Sequence, residues 1–175
     1  MNIHDKYMKR CIQIAEFGHG NTFPNPSVGC CIVMNDKILA EGFSSKAGCN
    51  HAEINAINQI KEKSVLSKCT IYITLEPCAH HGKTPPCVDT IIRHKFKKVV
   101  IGIKDPNKLV NGKGIKKLRK AGVDVITGIL KKEGTDLHKR FLTYQLKKRP
   151  YIILKWAQTS DGFISPKDKT NKVPF

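Results

Sequence analysis

Arginine is scarce in this chain, with 5 residues against 26 lysines, and acidic residues number only 14, which leaves a formal net charge of +17. So basic a surface attracts phosphates of any kind. Base-edge and bidentate phosphate recognition, however, favour the arginine fork, and the lysines are spread along the chain instead of gathering in one element. Specific nucleic acid is therefore not an expected partner, although a substrate carrying a phosphate would sit comfortably in such a field. Also missing is any apolar run long enough to cross a bilayer, so no membrane segment is expected. The opening MNIHDKYMKRC is polar and basic and lacks the apolar stretch of a signal peptide, which makes the cytoplasm the expected address. Cysteines stay reduced there, and an odd count of seven further weakens a disulfide framework; metal binding or simple burial remain. There is no internal repeat and no low-complexity segment.

What is present suits a soluble globular protein: 175 residues, 40% hydrophobic, enough for one domain with a short appendage. Met8, Cys11, Ile12 and Ala15 follow the spacing of one helix face. VGCCIVMN and KILAEGF flank Asp36 and predict a hairpin. A helix from His51 to about Lys63, a strand CTIYITL, a helix from Pro86 to about His94 and a strand KKVVIGI follow. The order continues with a helix over 115–121, a strand VDVITGI and a helix around Leu137, Phe141 and Tyr144. Such alternation predicts an α/β fold with a mixed, largely parallel sheet and helices on both faces. After LKKRP the character changes, and YIILKWAQ predicts a new strand followed by a polar, proline-containing tail.

The chemistry concentrates in two stretches. In CNHAEINAINQI, Asn50 is a candidate N-cap, with His51 at the first helical position and Glu53 at the third. Glu53 shares a face with Ala56, Ile57 and Ile60, so its carboxylate points with an apolar stripe toward the core, where it needs compensation. Asn50 and Glu53 also have the spacing of a capping box, which would account for the glutamate without any catalysis. In LEPCAHHGKTPPC, Cys78 and Cys87 both fall at turn or helix-start positions, where the thiolate is favoured. One histidine and two thiolates make a zinc set with the fourth tetrahedral position left to water, an arrangement for catalysis. A closed structural site would recruit Cys49, His80 or His81 as well. Cys11, Cys30, Cys31 and Cys69 lie in apolar patterns and are expected in the core. A histidine, alanine, glutamate string followed by a proline–cysteine and a second cysteine fits the zinc-deaminase signature, in which the glutamate is acid/base and not a ligand.

On these residues the sequence resembles the cytidine-deaminase-like superfamily, and more closely the deaminase domain of the bacterial riboflavin-biosynthesis deaminase/reductases. The general superfamily motif has two residues between its cysteines; here there are eight, and TLEPCAHHGKTPPC is similar to the riboflavin enzymes' form of the loop. PNPSVG at 24–29, HAE at 51–53 and DPNKLVNGKG at 105–114 join it, so the likeness runs over residues 1–146. It implies a three-layer α/β/α sandwich and hydrolytic deamination of 2,5-diamino-6-(5-phosphoribosylamino)pyrimidin-4(3H)-one to 5-amino-6-(5-phosphoribosylamino)uracil and ammonia. It further implies zinc on His51, Cys78 and Cys87, Glu53 as proton shuttle, and substrate contacts from Asn25, His80, Lys83 and Asn107. Asn25 is otherwise a turn residue between two prolines, and Lys83 a solvated loop lysine. The glycines of NGKG precede a helix and offer backbone donors for an anion, although such turns are common without ligands. The family often has a substrate-contacting histidine where Ser44 stands and a proline where Lys108 stands. Dimers or higher oligomers are implied. The tail RPYIILKWAQTSDGFIS is similar to the first strand of the family's reductase domain, so 147–175 is expected to be a linker and the start of that unit, without reductase activity of its own. A separate reductase would act on the product. The alternatives are another deaminase of the superfamily, acting on a free base, a nucleotide or tRNA adenosine, and a nucleic-acid-binding module with structural zinc.

Overall fold

The computed structural model describes residues 2–160 and 162–164. Met1, Asp161 and 165–175, the end of the tail expected to open a second unit, lie outside the described residues. In chain order the elements are α1 (Ile3–Glu16), β1 (Gly29–Met34), β2 (Lys37–Phe43), α2 (Ala52–Gln59), a 3₁₀ segment (Lys63–Lys68), β3 (Thr70–Leu75), α3 (Cys87–Arg93), β4 (Lys98–Ile103), α4 (Lys113–Lys120), β5 (Asp124–Thr127), α5 (Lys131–Leu137) and α6 (Lys139–Lys147).

The sheet order is β2-β1-β3-β4-β5. β1 is antiparallel to both β2 and β3, while β3, β4 and β5 pair in parallel, so β1 alone runs against the others. Mixed but largely parallel describes it correctly. The hairpin closes through Asn35 and Asp36, both at positive φ (48° and 58°), the backbone a two-residue turn needs to match strand twist. Side chains alternate across the central strands. Cys30, Ile32, Ile71, Ile73, Val99 and Ile101 join Ala56, Ile57, Val88, Ile91 and Leu118 of α2, α3 and α4 in one core. Cys31, Val33, Tyr72 and Val100 meet Tyr7, Met8, Cys11 and Ile14 of α1 on the other face. Both faces being covered explains why these strands read as continuous apolar runs. Each fully buried isoleucine contributes about 1.5–3 kcal/mol.

Gly42 of β2 lets the start of α2 rest directly on the sheet: a Cβ there would overlap the Ala52 carbonyl oxygen and stand 2.6 Å from the Ala56 nitrogen. This close approach places His51 and Glu53 at the sheet surface.

Three expectations are corrected. The helix beginning near His51 ends at Gln59, because Ile60 is extended (ψ 115°) and the Lys63 ammonium donates to the Ile57 and Ile60 carbonyls, satisfying the helix end. The helix around Leu137, Phe141 and Tyr144 is two helices, divided at His138. YIILKWAQ forms no strand, and Ile152, Ile153, Leu154 and Trp156 are exposed. β-branched residues supply propensity, but a strand exists only through a pairing partner, and none among the described residues pairs with it.

His138 is buried at this division, its Nε2 3.2 Å from Thr74 Oγ1, which also accepts from the Gly29 N–H at 3.2 Å. With that lone pair used, the threonine proton is free for a neutral imidazole. Burial, with repulsion from His19, pushes the ring's pKa down to about 4. A histidine with a depressed folded pKa contributes stability that is full above about pH 6.5 and is lost as pH falls toward about 4, on the order of 3 kcal/mol. Asp105 and Glu53, whose pKa values are raised to about 6 and about 7 chiefly by burial, tilt the curve the other way. We therefore expect urea titrations between pH 7 and 4 to show a shallower acid loss for His138→Asn than for the wild type. Parallel curves would remove the histidine from the account.

Candidate active site

α2 begins one residue later than the sequence predicts. His51 itself is the N-cap, with extended backbone (φ −76°, ψ 166°) and no side-chain cap bond, so Asn50 does not cap and no capping box forms. The imidazole is thereby free to face the loop after β3. Its Nδ1 lies 3.6 Å from Cys78 Sγ and 3.3 Å from Cys87 Sγ. Cys78 follows β3 through Glu76 and Pro77; Cys87 opens α3, and its N–H donates to Cys78 Sγ at 3.3 Å while Val88 N–H donates to the Cys78 carbonyl at 3.2 Å. The eight-residue loop between the cysteines thus closes on itself and brings both sulfurs to one point.

The three donor atoms lie within 4.8 Å of one another. A zinc bonded to nitrogen and sulfur at usual lengths and tetrahedral angles holds them about 3.6 Å apart, so the donor set fits in both chemistry and spacing. Cys49, His80 and His81 fall outside this group among the described residues. A hydrogen bond from Cys87, assisted by His51, pulls Cys78 down to about 4, while sharing with that thiolate and burial push Cys87 up. The hydrogen bond to Cys78 raises His51.

Glu53 is 4% exposed, on the α2 face that also buries Ala56 and Ile57. Burial first, then the Cys78 charge, raises its pKa to about 7. Cys11, Cys30, Cys31 and Cys69 are buried, as expected.

The residues expected to touch substrate are less uniformly placed. Asn25 is exposed in a turn closed by its N–H to the Thr22 carbonyl at 2.8 Å. His80 sits in the loop between the cysteines, and its Nδ1 is buried without a hydrogen-bond partner. Lys83 is exposed, with its Cδ 3.4 Å from where a Gly48 Cβ would stand, so the cysteine loop lies against the 45–50 turn. Asn107 is half-buried; its N–H donates to Asp105 Oδ1 at 2.8 Å and its Oδ1 accepts from Leu109 N–H at 3.0 Å, leaving the amide NH₂ to offer. Ser44 is buried and its Oγ accepts from Val28 N–H at 3.0 Å, tying PNPSVG to the end of β2.

The anion expected over NGKG is supplied by the chain itself. Glu76, 3% exposed, accepts from Asp105 N–H (3.2 Å) and Gly112 N–H (2.9 Å) on Oε2 and from Gly114 N–H (3.0 Å) and Ile115 N–H (3.3 Å) on Oε1. Those donors are not available to a substrate phosphate. Sequence reasoning passes over Glu76, whose partners lie 29 to 39 positions downstream; the available signal is an acidic residue at a strand end paired with a glycine-rich helix start.

Comparison with known proteins follows the same lines. The zinc-binding region of cytidine and deoxycytidylate deaminases matches residues 1–103. The riboflavin biosynthesis protein RibD of Actinobacillus pleuropneumoniae is 52% identical over 159 residues, 91% of this chain and 42% of that protein. The diaminohydroxyphosphoribosylamino-pyrimidine deaminase of Buchnera aphidicola subsp. Schizaphis graminum is 52% identical over 135 residues, 77% of this chain and 90% of that protein. Among solved structures, the diaminohydroxyphosphoribosylaminopyrimidine deaminase/5-amino-6-(5-phosphoribosylamino)uracil reductase of Thermotoga maritima superposes with a TM-score of 0.89 at 45% identity, over 94% of this chain and 47% of that one. The chain spans less than half the length of the RibD protein and of the Thermotoga structure.

Proposed function

The chain belongs to the zinc-binding cytidine and deoxycytidylate deaminase family, and from that premise we propose that it hydrolyses 2,5-diamino-6-(5-phosphoribosylamino)pyrimidin-4(3H)-one to 5-amino-6-(5-phosphoribosylamino)uracil and ammonia, a step of riboflavin biosynthesis. The observation that carries the reading is the convergence of His51, Cys78 and Cys87 beside a buried glutamate, within a chain that aligns over nearly the whole of a deaminase of that name.

His51, Cys78 and Cys87 would hold the metal. Bound there, zinc would supply a Lewis acid able to lower the pKa of water to about 7. Glu53 is the proton carrier. Its carboxylate takes a proton from the attacking water, delivers it to a ring nitrogen of the pyrimidine, and then assists departure of the amino group as ammonia, so that the carbon exchanges an amine for an oxygen. A carboxyl with a pKa near 7 suits both halves of that task. The unpartnered Nδ1 of His80 supplies an uncommitted polar atom for the substrate, and Asn25 and the Asn107 NH₂ are the further contacts in this reading.

We assign the activity to 1–146 and read 147–175 as the linker and opening of a reductase-like unit. A cytoplasmic homo-oligomer, with a separate reductase acting on the product, completes the proposal. Among the described residues no helix is long and apolar enough to cross a membrane, and the exposed Phe17 and Phe43 rings, 6.1 Å apart, offer an apolar surface for assembly.

The test is ammonia release from the diaminopyrimidine nucleotide by purified, zinc-loaded protein. Activity on tRNA adenosine with none on this nucleotide would hand the site to another member of the superfamily. Lys83, with a flexible stem on the cysteine loop, is suited to a terminal phosphate as a point charge. Exposed ionic contacts contribute up to about 1 kcal/mol, so Lys83→Ala should raise KM for the phosphoribosyl substrate about fivefold and leave the dephosphorylated analogue unaffected. Equal changes for both substrates would make Lys83 a solvated loop lysine.

A further inference from the structure

Glu76 has no part in the chemistry above, yet it is one of the most heavily engaged side chains in the protein. Its main chain is tied to the sheet, with N–H donating to the Ile103 carbonyl at 2.9 Å. Its carboxylate gathers four backbone N–H groups from 105–115, the segment that leaves β4 and starts α4. The same helix start packs against the peptide that leads to the metal ligand. A Cβ on Gly114 would overlap the Pro77 carbonyl oxygen and stand 3.2 Å from Glu76 Oε1. Glu76, Pro77 and Cys78 are consecutive, so the residue that anchors this platform is two residues from a candidate ligand. The loop beyond Cys78 has a free path to solvent, and Lys83 and Gly82 within it are exposed.

We infer that Glu76 is a positioning residue for the metal: by pinning the 105–115 segment beneath the Pro77–Cys78 peptide, it sets where the Cys78 sulfur stands relative to His51 and Cys87. The inference rests on the proposed zinc trio. A neutral amide at position 76 would present NH₂ to one pair of N–H groups, turning two acceptances into donor–donor contacts, and the fourth support of the platform would be lost with the third. Because the carboxylate is filled by backbone donors, its effect should appear first in metal retention, and Asn107, held through Asp105 in the same pinned segment, carries part of it to the substrate.

Groups that hydrogen-bond a metal ligand typically govern 10- to 100-fold in metal affinity, and Glu76, which acts through the Pro77–Cys78 peptide, belongs at the lower end. Chelator competition on zinc-loaded Glu76→Gln should therefore show zinc held about tenfold more weakly than in the wild type. At saturating zinc, kcat should fall, and KM should rise with it because Asn107 stands in the loosened segment. Leu118→Ala, which opens a cavity in the buried face of the same α4, serves as the control: it should lower the melting temperature yet retain wild-type zinc affinity. If Glu76→Gln does not fold, Glu76→Asp takes its place, since the shorter side chain keeps the charge but cannot reach all four N–H groups; weaker zinc retention is again the expected result. Zinc affinity in Glu76→Gln equal to that of Leu118→Ala, or a rise in KM alone, would overturn the inference while leaving the zinc reading intact. A wild-type protein that binds no zinc would overturn both.

Discussion

Glu53→Gln is expected to keep its fold and its zinc and to lose on the order of a hundredfold or more of the deamination rate. The side chains are nearly equal in size, so the packing against Ala56 and Ile57 survives. The amide can hold a hydrogen bond but cannot carry one proton from water to the ring nitrogen and a second from the added hydroxyl to the leaving amine. Stability should be unchanged or slightly raised at neutral pH, because the buried carboxyl is held against a desolvation penalty that a neutral amide does not meet. That pairing of outcomes separates catalysis from structure: a glutamate kept for helix capping would, when replaced, lower the melting temperature and spare the rate. Single-turnover ammonia release, a thermal melt and metal analysis on the same preparation decide it. Near-normal turnover would remove Glu53 from the mechanism, and the place of His51, not Asn50, at the cap of α2 already argues against a capping box.

Loss of a ligand should be more complete. Cys87→Ser is expected to bring zinc content close to zero after dialysis, to abolish measurable deamination, and to lower the melting temperature. A metal that binds only the folded chain stabilises it by about 4 kcal/mol when present at a thousand times its dissociation constant. Removing the wild-type metal with a chelator should reproduce both effects, and adding zinc back should reverse them in the wild type and not in the variant. Cys87 is the informative ligand because it also opens α3 and donates its N–H to Cys78 Sγ, so the backbone of the serine variant can still close the loop. Full activity in chelated protein would end the zinc reading, whatever its sequence neighbours.

The candidate metal trio and the buried glutamate were legible in the chain because their chemistry is carried by residue type: a histidine and a glutamate two apart at a helix start, then two cysteines flanking a proline-rich loop. The same holds for the strands, whose apolar runs needed cover on both faces and received it from helices on either side. Elsewhere local pattern misled. Asn50 has the better capping side chain, yet His51 is the cap, since the close seat of α2 on Gly42 sets where the helix starts. YIILKWAQ has strand propensity and no partner strand among the described residues, so propensity alone leaves it exposed. The glycines of NGKG do bind a carboxylate, but it is Glu76, brought across 36 and 38 residues of chain by the parallel pairing of β3 with β4. Residue type names what a group can do in water or beside a metal. Which groups meet depends on contacts between segments remote in sequence, and those arise only when the sheet is paired and its two faces are packed.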